Sequence, residues 1–167
     1  MVWFIGIAAV VALVRIASSA GGAPQSQELE AGVCRARVVR ALVSEFVEAF
    51  NRGDEVELDR LFEQPPKFRW YSSGAPGRRL RTAAHRRDTL IAYFRSRHRH
   101  GDTLRLESFR FVRGSGGIGH FGATFRRSAD DFRGGRSFVI PGKGAALCPV
   151  QGARFFVMSL GGPRRVR

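Results

Sequence analysis

Residues 49–62, AFNRGDEVELDRLF, place a helix stop and a helix start side by side. Gly53 is the residue type best able to adopt the left-handed conformation that ends a helix. Asp54 has the chemistry of an N-cap, and Glu57 three positions later completes a capping-box pattern. Arg52, Gly53 and Asp54 also form a tripeptide read elsewhere as an adhesion signal. Because Gly53 and Asp54 both have structural duties here, we interpret the tripeptide as a corner between two helices.

Apolar residues on both sides of this corner predict the two helices that it joins. Before the corner, starting near residue 33, apolar positions recur at spacings of three, one, three and four, which is one face of an amphipathic helix. These positions are Val39, Leu42, Val43, Phe46 and Phe50. After the corner, a shorter helix ends at Pro65 and Pro66, because proline has no backbone N–H to donate.

The second half of the chain predicts one more helix and a run of strands. KFRWYS favours a strand, SSGAPGRR a loop, and residues 86–100 a third helix that stops at Gly101. Residues 103–113, 118–130, 136–148 and 152–160 favour long strands, with Gly122 and Gly144 as candidate bulges or bends. Helices followed by strands predict an α+β fold with the helices on one face of an antiparallel sheet.

The first residues of the chain have the character of a targeting segment. The apolar run from Val2 to Val14 is shorter than the roughly 20 residues that a membrane-spanning helix needs. It fits the apolar region of a secretory signal peptide, although no cation precedes it and Arg15 follows it. We expect residues 1–23 to be a signal peptide or membrane anchor, 24–32 a linker, 33–162 one domain and 163–167 a basic tail. The expected location is therefore outside the cytoplasm, either secreted or anchored.

Two cysteines agree with export. Cys34 and Cys148 are an even pair in a chain with a secretory character, which favours a disulfide. In the chain-entropy model the closure of so long a loop stabilises the fold by about 4–5 kcal/mol. The alternative is that both thiols are buried as small apolar groups.

The charge balance is strongly basic, with 28 Lys and Arg against 14 Asp and Glu. All of these cations except Lys67 and Lys143 are Arg, a skew typical of GC-rich coding sequences. One group in and before the third helix could attach the protein to an anionic surface. Its members are Arg78, Arg79, Arg81, Arg86, Arg87, Arg95, Arg97 and Arg99. Predicted export and the lack of a nucleic-acid-binding motif make nucleic acid the less favoured partner.

The order of elements resembles the nuclear transport factor 2-like superfamily, including its SnoaL-like, polyketide cyclase-like members. FVEAFNRGDEVELDRLFEQPPKFRW is similar to that family's opening of helix, Asn-x-Gly-Asp, short helix and strand, and TLIAYFRSRH fits its third helix. The resemblance covers about residues 33–162. It implies a cone in which a strongly curved antiparallel sheet wraps around a long N-terminal helix, with two further helices. It also implies a pocket at the open end and, in many look-alikes, homodimers formed through the sheet.

The resemblance implies that aromatic residues of the first helix and of the strands line this pocket. The expected lining is Phe46, Phe50, Trp70, Tyr71, Tyr93, Phe94, His120 and Phe156. Enzymes of this superfamily set a carboxylate or histidine against a tyrosine or a second carboxylate. His120, Asp131 and Tyr71 are the candidates for such roles.

Other chemistries have little support in the sequence. His98 and His100 lie about 200° apart on a helix, so they do not converge on one metal ion. No phosphate loop or dinucleotide fingerprint is present, and we expect no cofactor. We expect an exported or surface-tethered binding or accessory domain, without catalysis, for a small apolar or amphipathic ligand. The alternatives are a small-molecule lyase, isomerase or hydrolase that uses a pocket His or Asp, and electrostatic attachment through the Arg-rich third helix.

Overall fold

A computed structural model describes residues 33–64, 69–72, 81–84, 86–132 and 136–161. The helices are α1 (Ala36–Arg52), α2 (Glu55–Arg60) and α3 (Arg87–Arg99). The strands are β1 (Arg69–Ser72), β2 (Arg81–Ala84), β3 (Thr103–Arg113), β4 (Ile118–Ser128), β5 (Phe138–Leu147) and β6 (Arg154–Leu160). The predicted targeting segment, linker and basic tail lie outside these ranges and stay predictions. Within the described ranges no helix has the length and apolar character needed to cross a membrane.

The corner between α1 and α2 has the geometry that its sequence predicts. Gly53 adopts the left-handed conformation at φ 67°, and the Asp54 N–H donates to the Ala49 carbonyl oxygen at 3.0 Å. The Asp54 side chain accepts a hydrogen bond from the Glu57 N–H, also at 3.0 Å. The reciprocal half of the capping box is absent, because the Asp54 N–H is already engaged and the Glu57 carboxylate binds Arg60 instead. The interpretation of residues 52–54 as a corner is confirmed.

Six strands form one sheet in the order β2-β1-β6-β5-β4-β3. The α+β fold is as expected, and every described strand pair is antiparallel except that of β1 with β6, which is parallel and makes the sheet mixed. β2 was not predicted, because four residues next to a Gly- and Pro-containing loop are too short to show a strand period.

Two glycines expected to form bulges keep regular pairing instead. Gly122 pairs with Arg110 and Lys143 in regular register, and Gly144 pairs with Phe121. The register shifts between strands fall at 106/108, 145/146 and 70/71. The bulges of the sheet therefore do not fall at Gly122 or Gly144.

The sheet has an inner face toward α1 and an outer face away from the helices. Along β4, Phe121, Ala123 and Phe125 are buried in the core that α1 also joins. Because side chains alternate along a strand, His120, Gly122, Thr124 and Arg126 lie on the outer face. The candidate site lies on the outer face.

The disulfide predicted between Cys34 and Cys148 is present. It joins the segment just before α1 to the end of β5, and both cysteines are buried. The Cys148 N–H also donates to the Gly117 carbonyl oxygen at 3.0 Å. The first helix is thus covalently fixed to the sheet that packs against it.

Candidate functional site

The space between α1 and the inner sheet face is filled by aromatic rings. The Phe46 ring centroid lies 5.8–6.2 Å from five other rings, those of Phe50, Phe62, Trp70, Phe94 and Phe155. All six side chains are almost fully buried. Four of the residues expected to line a pocket therefore lie within a packed core, and their role in a pocket stays a prediction.

Two adjoining cavities open on the outer face of the sheet, with volumes of about 860 and 530 Å³. We call their combined space the outer groove. Both cavities are lined by Arg110, Gly122, Lys143 and Ser159. The smaller one is also lined by Val112, His120, Phe121, Gly144 and Val157. Volumes of this size are typical of small-ligand sites.

The strand register explains why these residues meet. Arg110 pairs with Gly122, Gly122 with Lys143, and Lys143 with Ser159, so the four occupy one row across β3–β6. Apart from chain neighbours, no heavy atom lies within 4 Å of the position that a Cβ on Gly122 would take. Gly122, in the middle of the row, therefore leaves open space where a side chain would lie, and one cation lies on each side of it.

The next row on the outer face is largely apolar. Val112 pairs with His120, His120 with Ala145, and Ala145 with Val157. Val112 is 47% exposed, which is unusual for a large apolar side chain in a strand. The outer groove thus combines a cationic row with an apolar row.

The two cations of the outer groove have no carboxylate partner in the described part of the chain. The six strands contain a single carboxylate, that of Glu107, and it is bound by Arg105 at 3.1 Å and Arg126 at 2.7 Å. Arg110 and Lys143 form neither an ion pair nor a side-chain hydrogen bond among the described residues, and both are exposed. Their charges remain available to an anion from outside the protein.

A second polar group of residues is enclosed where α3 meets β3 and β4. The carboxylate of Asp102, with no exposed surface, accepts hydrogen bonds from Arg97 at 2.5 Å and from Arg127 at 2.9 Å. The guanidinium carbons of Arg97 and Arg127 lie 5.7 and 5.5 Å from the Phe132 ring centroid. We call Arg97, Asp102, Arg127 and Asp131 the buried ion cluster; the Asp131 side chain lies at its edge and is 38% exposed. The cluster fixes the end of α3 to the sheet.

The buried ion cluster contains Asp131, one of the residues predicted for catalysis. Arg97 donates two hydrogen bonds to the Asp131 carboxylate, at 2.7 and 2.8 Å, and thereby lowers its pKa below the usual value. His120 lies on the outer face near the opposite end of β4. At about 3.3 Å per strand residue, the two are too far apart to act on one substrate atom.

Most of the described arginines expected to form a basic surface are paired. Arg86 binds Asp88 at 2.8 Å, Arg95 binds Glu55 at 2.5 Å, and Arg87 donates to the Phe62 carbonyl oxygen at 2.9 Å and to Asp59. Arg97 differs from the expectation of a surface cation, because it is only 8% exposed. Arg99 is exposed, while the side chains of Arg78, Arg79 and Arg81 lie outside the described residues. This pairing weakens the case for a bare cationic helix.

The remaining predicted site residues are dispersed. Tyr71 lies in β1 beside Ser159, and its side chain is outside the described residues. Tyr93 is half-buried, 5.8 Å from the Trp70 ring centroid, and its hydroxyl accepts a hydrogen bond from Arg127 at 3.3 Å. Phe156 is half-buried next to the register shift between β5 and β6. Among the described residues no cluster of three His, Cys, Asp or Glu could hold a metal ion.

Comparisons of sequence find no match among protein-family models or curated proteins. Solved structures are similar in fold at low identity. A protein from Streptomyces avermitilis, provisionally assigned as a dehydratase of the nuclear transport factor 2-like family, is 13% identical with a TM-score of 0.61. The alignment covers 77% of this chain and 96% of that chain.

Two further structures extend this comparison. A nuclear transport factor 2-like protein of unknown function from Shewanella oneidensis is 11% identical, with a TM-score of 0.58 over 75% of this chain and 97% of that one. The orange carotenoid protein of Anabaena, solved with canthaxanthin, is 17% identical, with a TM-score of 0.56 over 72% of this chain and 35% of that one. Together with the helices and the six-stranded sheet, these likenesses show that the chain has the nuclear transport factor 2-like fold.

Proposed function

We propose that this protein is an exported small-molecule-binding domain that holds its ligand in the outer groove. The observation that carries the proposal is the smaller cavity of about 530 Å³ on the outer face. Its lining combines the apolar side chains of Val112 and Val157 with a few placed polar groups, which is the usual composition of a ligand site. One of the proteins with a similar fold, the orange carotenoid protein, binds canthaxanthin, which agrees with a small-ligand function.

The packing of the inner face supports the choice of the outer groove. Phe46, Trp70 and Phe155 have no measurable exposure and contact one another through their rings or a shared neighbour. Protein interiors are packed as densely as organic crystals, so a ligand entering there would have to displace rings. The outer groove needs no such rearrangement.

Binding of a neutral fluorescent probe of apolar sites, 1-aminoanthracene, tests the proposal. We expect saturable binding to the full chain with one site per molecule. Gly122→Leu fills the open space in the groove and is expected to weaken binding about tenfold or more, since a clash displaces the probe. Val56→Leu adds the same kind of apolar surface at an 83% exposed position of α2 and serves as the control.

The proposal fails if the probe does not saturate, or if Gly122→Leu and Val56→Leu bind it as the original protein does. Circular dichroism and thermal unfolding of both variants show whether the fold is retained. A weaker affinity in a Gly122→Leu protein with unchanged unfolding supports the outer groove directly.

Export is tested by the location and redox state of the full chain. The apolar segment at residues 2–14 and the Cys34–Cys148 disulfide both favour an oxidising compartment. We expect the protein in the extracytoplasmic or membrane fraction of an expressing bacterium, with no free thiol under denaturing conditions. Protein that stays in the cytoplasm with two free thiols would contradict export.

A second candidate function is acid–base catalysis on the bound molecule by His120. His120 is exposed, lines the smaller cavity and lies beside Arg110 and Lys143, so a base and cations meet at one place. If the groove catalyses a lyase, isomerase or hydrolase reaction, a bound ligand will change chemically and His120→Gln will slow that change while the ligand still binds. A ligand recovered unchanged after long incubation, as followed by NMR, favours binding without catalysis.

A further inference from the structure

We infer that the outer groove recognises the acidic head group of an amphipathic organic anion, with Arg110 and Lys143 binding the head and the apolar row receiving the body. The ligand class is thus a carboxylate or phosphate ester carried on an apolar chain or ring. This inference rests on the proposed function, because it names the ligand class of the same groove.

The geometry of the cationic row suits a small anionic head group. Arg110 and Lys143 lie on β3 and β5, on either side of Gly122 in β4. Their backbones are separated by two strand spacings, about 10 Å in all. Both side chains are long enough to reach inward over the open space at Gly122. An anion placed there can accept hydrogen bonds from both cations, and the planar guanidinium group can bind it with two donors.

The charge pattern explains why these two cations in particular would bind an external anion. Glu107, the carboxylate of the described strands, is already held by Arg105 and Arg126. Arg110 and Lys143 keep their charges without a partner among the described residues. A like-charged pair in one groove is unfavourable until an anion lies between its members, and charge-assisted hydrogen bonds are about twice as strong as neutral ones.

The apolar row would contact the apolar body of the ligand. Val112 and Val157 lie two residues along their strands from the cationic row, a step of about 6.6 Å. Phe121 and Gly144 also line this cavity. A head group over Gly122 would thus extend its apolar body toward Val112 and Val157.

The same charges disfavour a second copy of this chain as the occupant. In a dimer related by a two-fold axis through the sheet, the cationic rows would face each other. Like charges placed across an interface cost several kcal/mol in general. The outer groove is therefore better matched to a small anion than to its own copy.

Isothermal titration calorimetry of the full chain with decanoate, decyl phosphate and decanol tests the inference. These probes share one apolar body and are used below their micelle-forming concentrations. We expect both anions to bind about tenfold tighter than decanol, as expected for hydrogen bonds to charged groups. Arg110→Gln and Lys143→Gln are each expected to reduce anion affinity about tenfold and to leave decanol affinity unchanged. Arg99→Gln on α3 makes the same change in net charge and should alter neither the affinity for the anions nor the affinity for decanol.

Each other result overturns the inference in a distinguishable way. If decanol and both anions bind equally and Arg110→Gln changes none of these affinities, the inferred class of anionic ligand is rejected, but the outer groove remains the proposed binding site. Equal losses in Arg110→Gln and Arg99→Gln indicate attraction to overall charge and reject a site. No binding of any probe removes the proposed function as well. A ligand-free dimer in sedimentation, dissociated by Gly122→Leu, identifies a second copy as the occupant and also rejects the inference.

Discussion

The two faces of one sheet use glycine in opposite ways. On the inner face, a Cβ on Gly142 would lie 2.3 Å from the Phe125 ring, and a Cβ on Gly144 would lie 2.8 Å from the Phe121 ring. At both positions an aromatic ring occupies the space that a side chain would need. On the outer face, the corresponding space at Gly122 is open. The absence of a side chain at Gly142 and Gly144 therefore allows tight packing on the inner face, whereas its absence at Gly122 leaves a groove on the outer face.

The faces also differ in how they treat charge. Toward the helices, the buried ion cluster gives each guanidinium a carboxylate, so Arg97 and Arg127 are neutralised within the fold. On the outer groove, Arg110 and Lys143 remain without such partners in the described chain. The buried ion cluster thus pairs its charges within the fold, whereas Arg110 and Lys143 have no such partner among the described residues.

The largest expected effect of a single substitution is at Asp102. Asp102→Asn leaves two buried guanidinium groups without their shared carboxylate, and loss of one partner from a buried ion pair costs about 3–5 kcal/mol. Urea denaturation measures the free energy of unfolding. Asp88→Asn is the control, because its ion pair with Arg86 is exposed and contributes at most about 1 kcal/mol. Equal stability of the two variants would contradict the difference that we assign between buried and exposed charge.

Two alanine substitutions compare the faces directly. In Gly144→Ala the new Cβ would meet the Val157 carbonyl oxygen at 2.4 Å, so backbone must shift and the free energy of unfolding should fall by about 1–3 kcal/mol. In Gly122→Ala the Cβ enters open space, and the change should stay within about 1 kcal/mol and can be stabilising. Thermal unfolding of both variants checks this order. If both lose the same stability, the two faces do not differ as described.

The smallest expected effect concerns acid stability. Arg97 lowers the pKa of Asp131 in the folded protein, so this ion pair contributes fully above the unfolded pKa of about 3.9 and is lost as pH falls through the folded value. Asp131→Asn should therefore reduce stability at pH 7 and flatten the decline in stability below about pH 4. His120→Gln, on the outer face, should leave that acid limb unchanged. The same pH dependence in Asp131→Asn and the original protein would refute the assignment.

Sequence reasoning succeeded where structure is local. Gly53 and Asp54 define a corner by their own conformations, and the alternation in β4 predicts a strand with a buried face. The parallel pairing of β1 with β6 depends on residues far apart in the chain and leaves no local pattern. For the same reason Asp102 gave no signal as the centre of the buried ion cluster, since Arg127 reaches it only through the fold.

The outer groove could not be predicted for a related reason. Gly122 was noticed as a candidate bend, but its neighbours Arg110 and Lys143 become known only with the strand register. Periodicity correctly placed Phe46 and Phe50 on the inward face of α1. It could not show whether the interior they enter is a pocket or a filled core, because that depends on the summed volume of rings from several elements.

NMR titration with decanoate tests most directly whether ligand binds on the outer face. In a Trp3→Phe variant, Trp70 supplies the remaining indole N–H signal, and Trp70 is fully buried in the core. We expect the backbone amide signals of Gly122, Lys143 and Ser159 to shift in a saturable way while the Trp70 indole signal stays in place. A saturable shift of the indole signal, with the three amides unchanged, would place the ligand inside the cone and contradict the account.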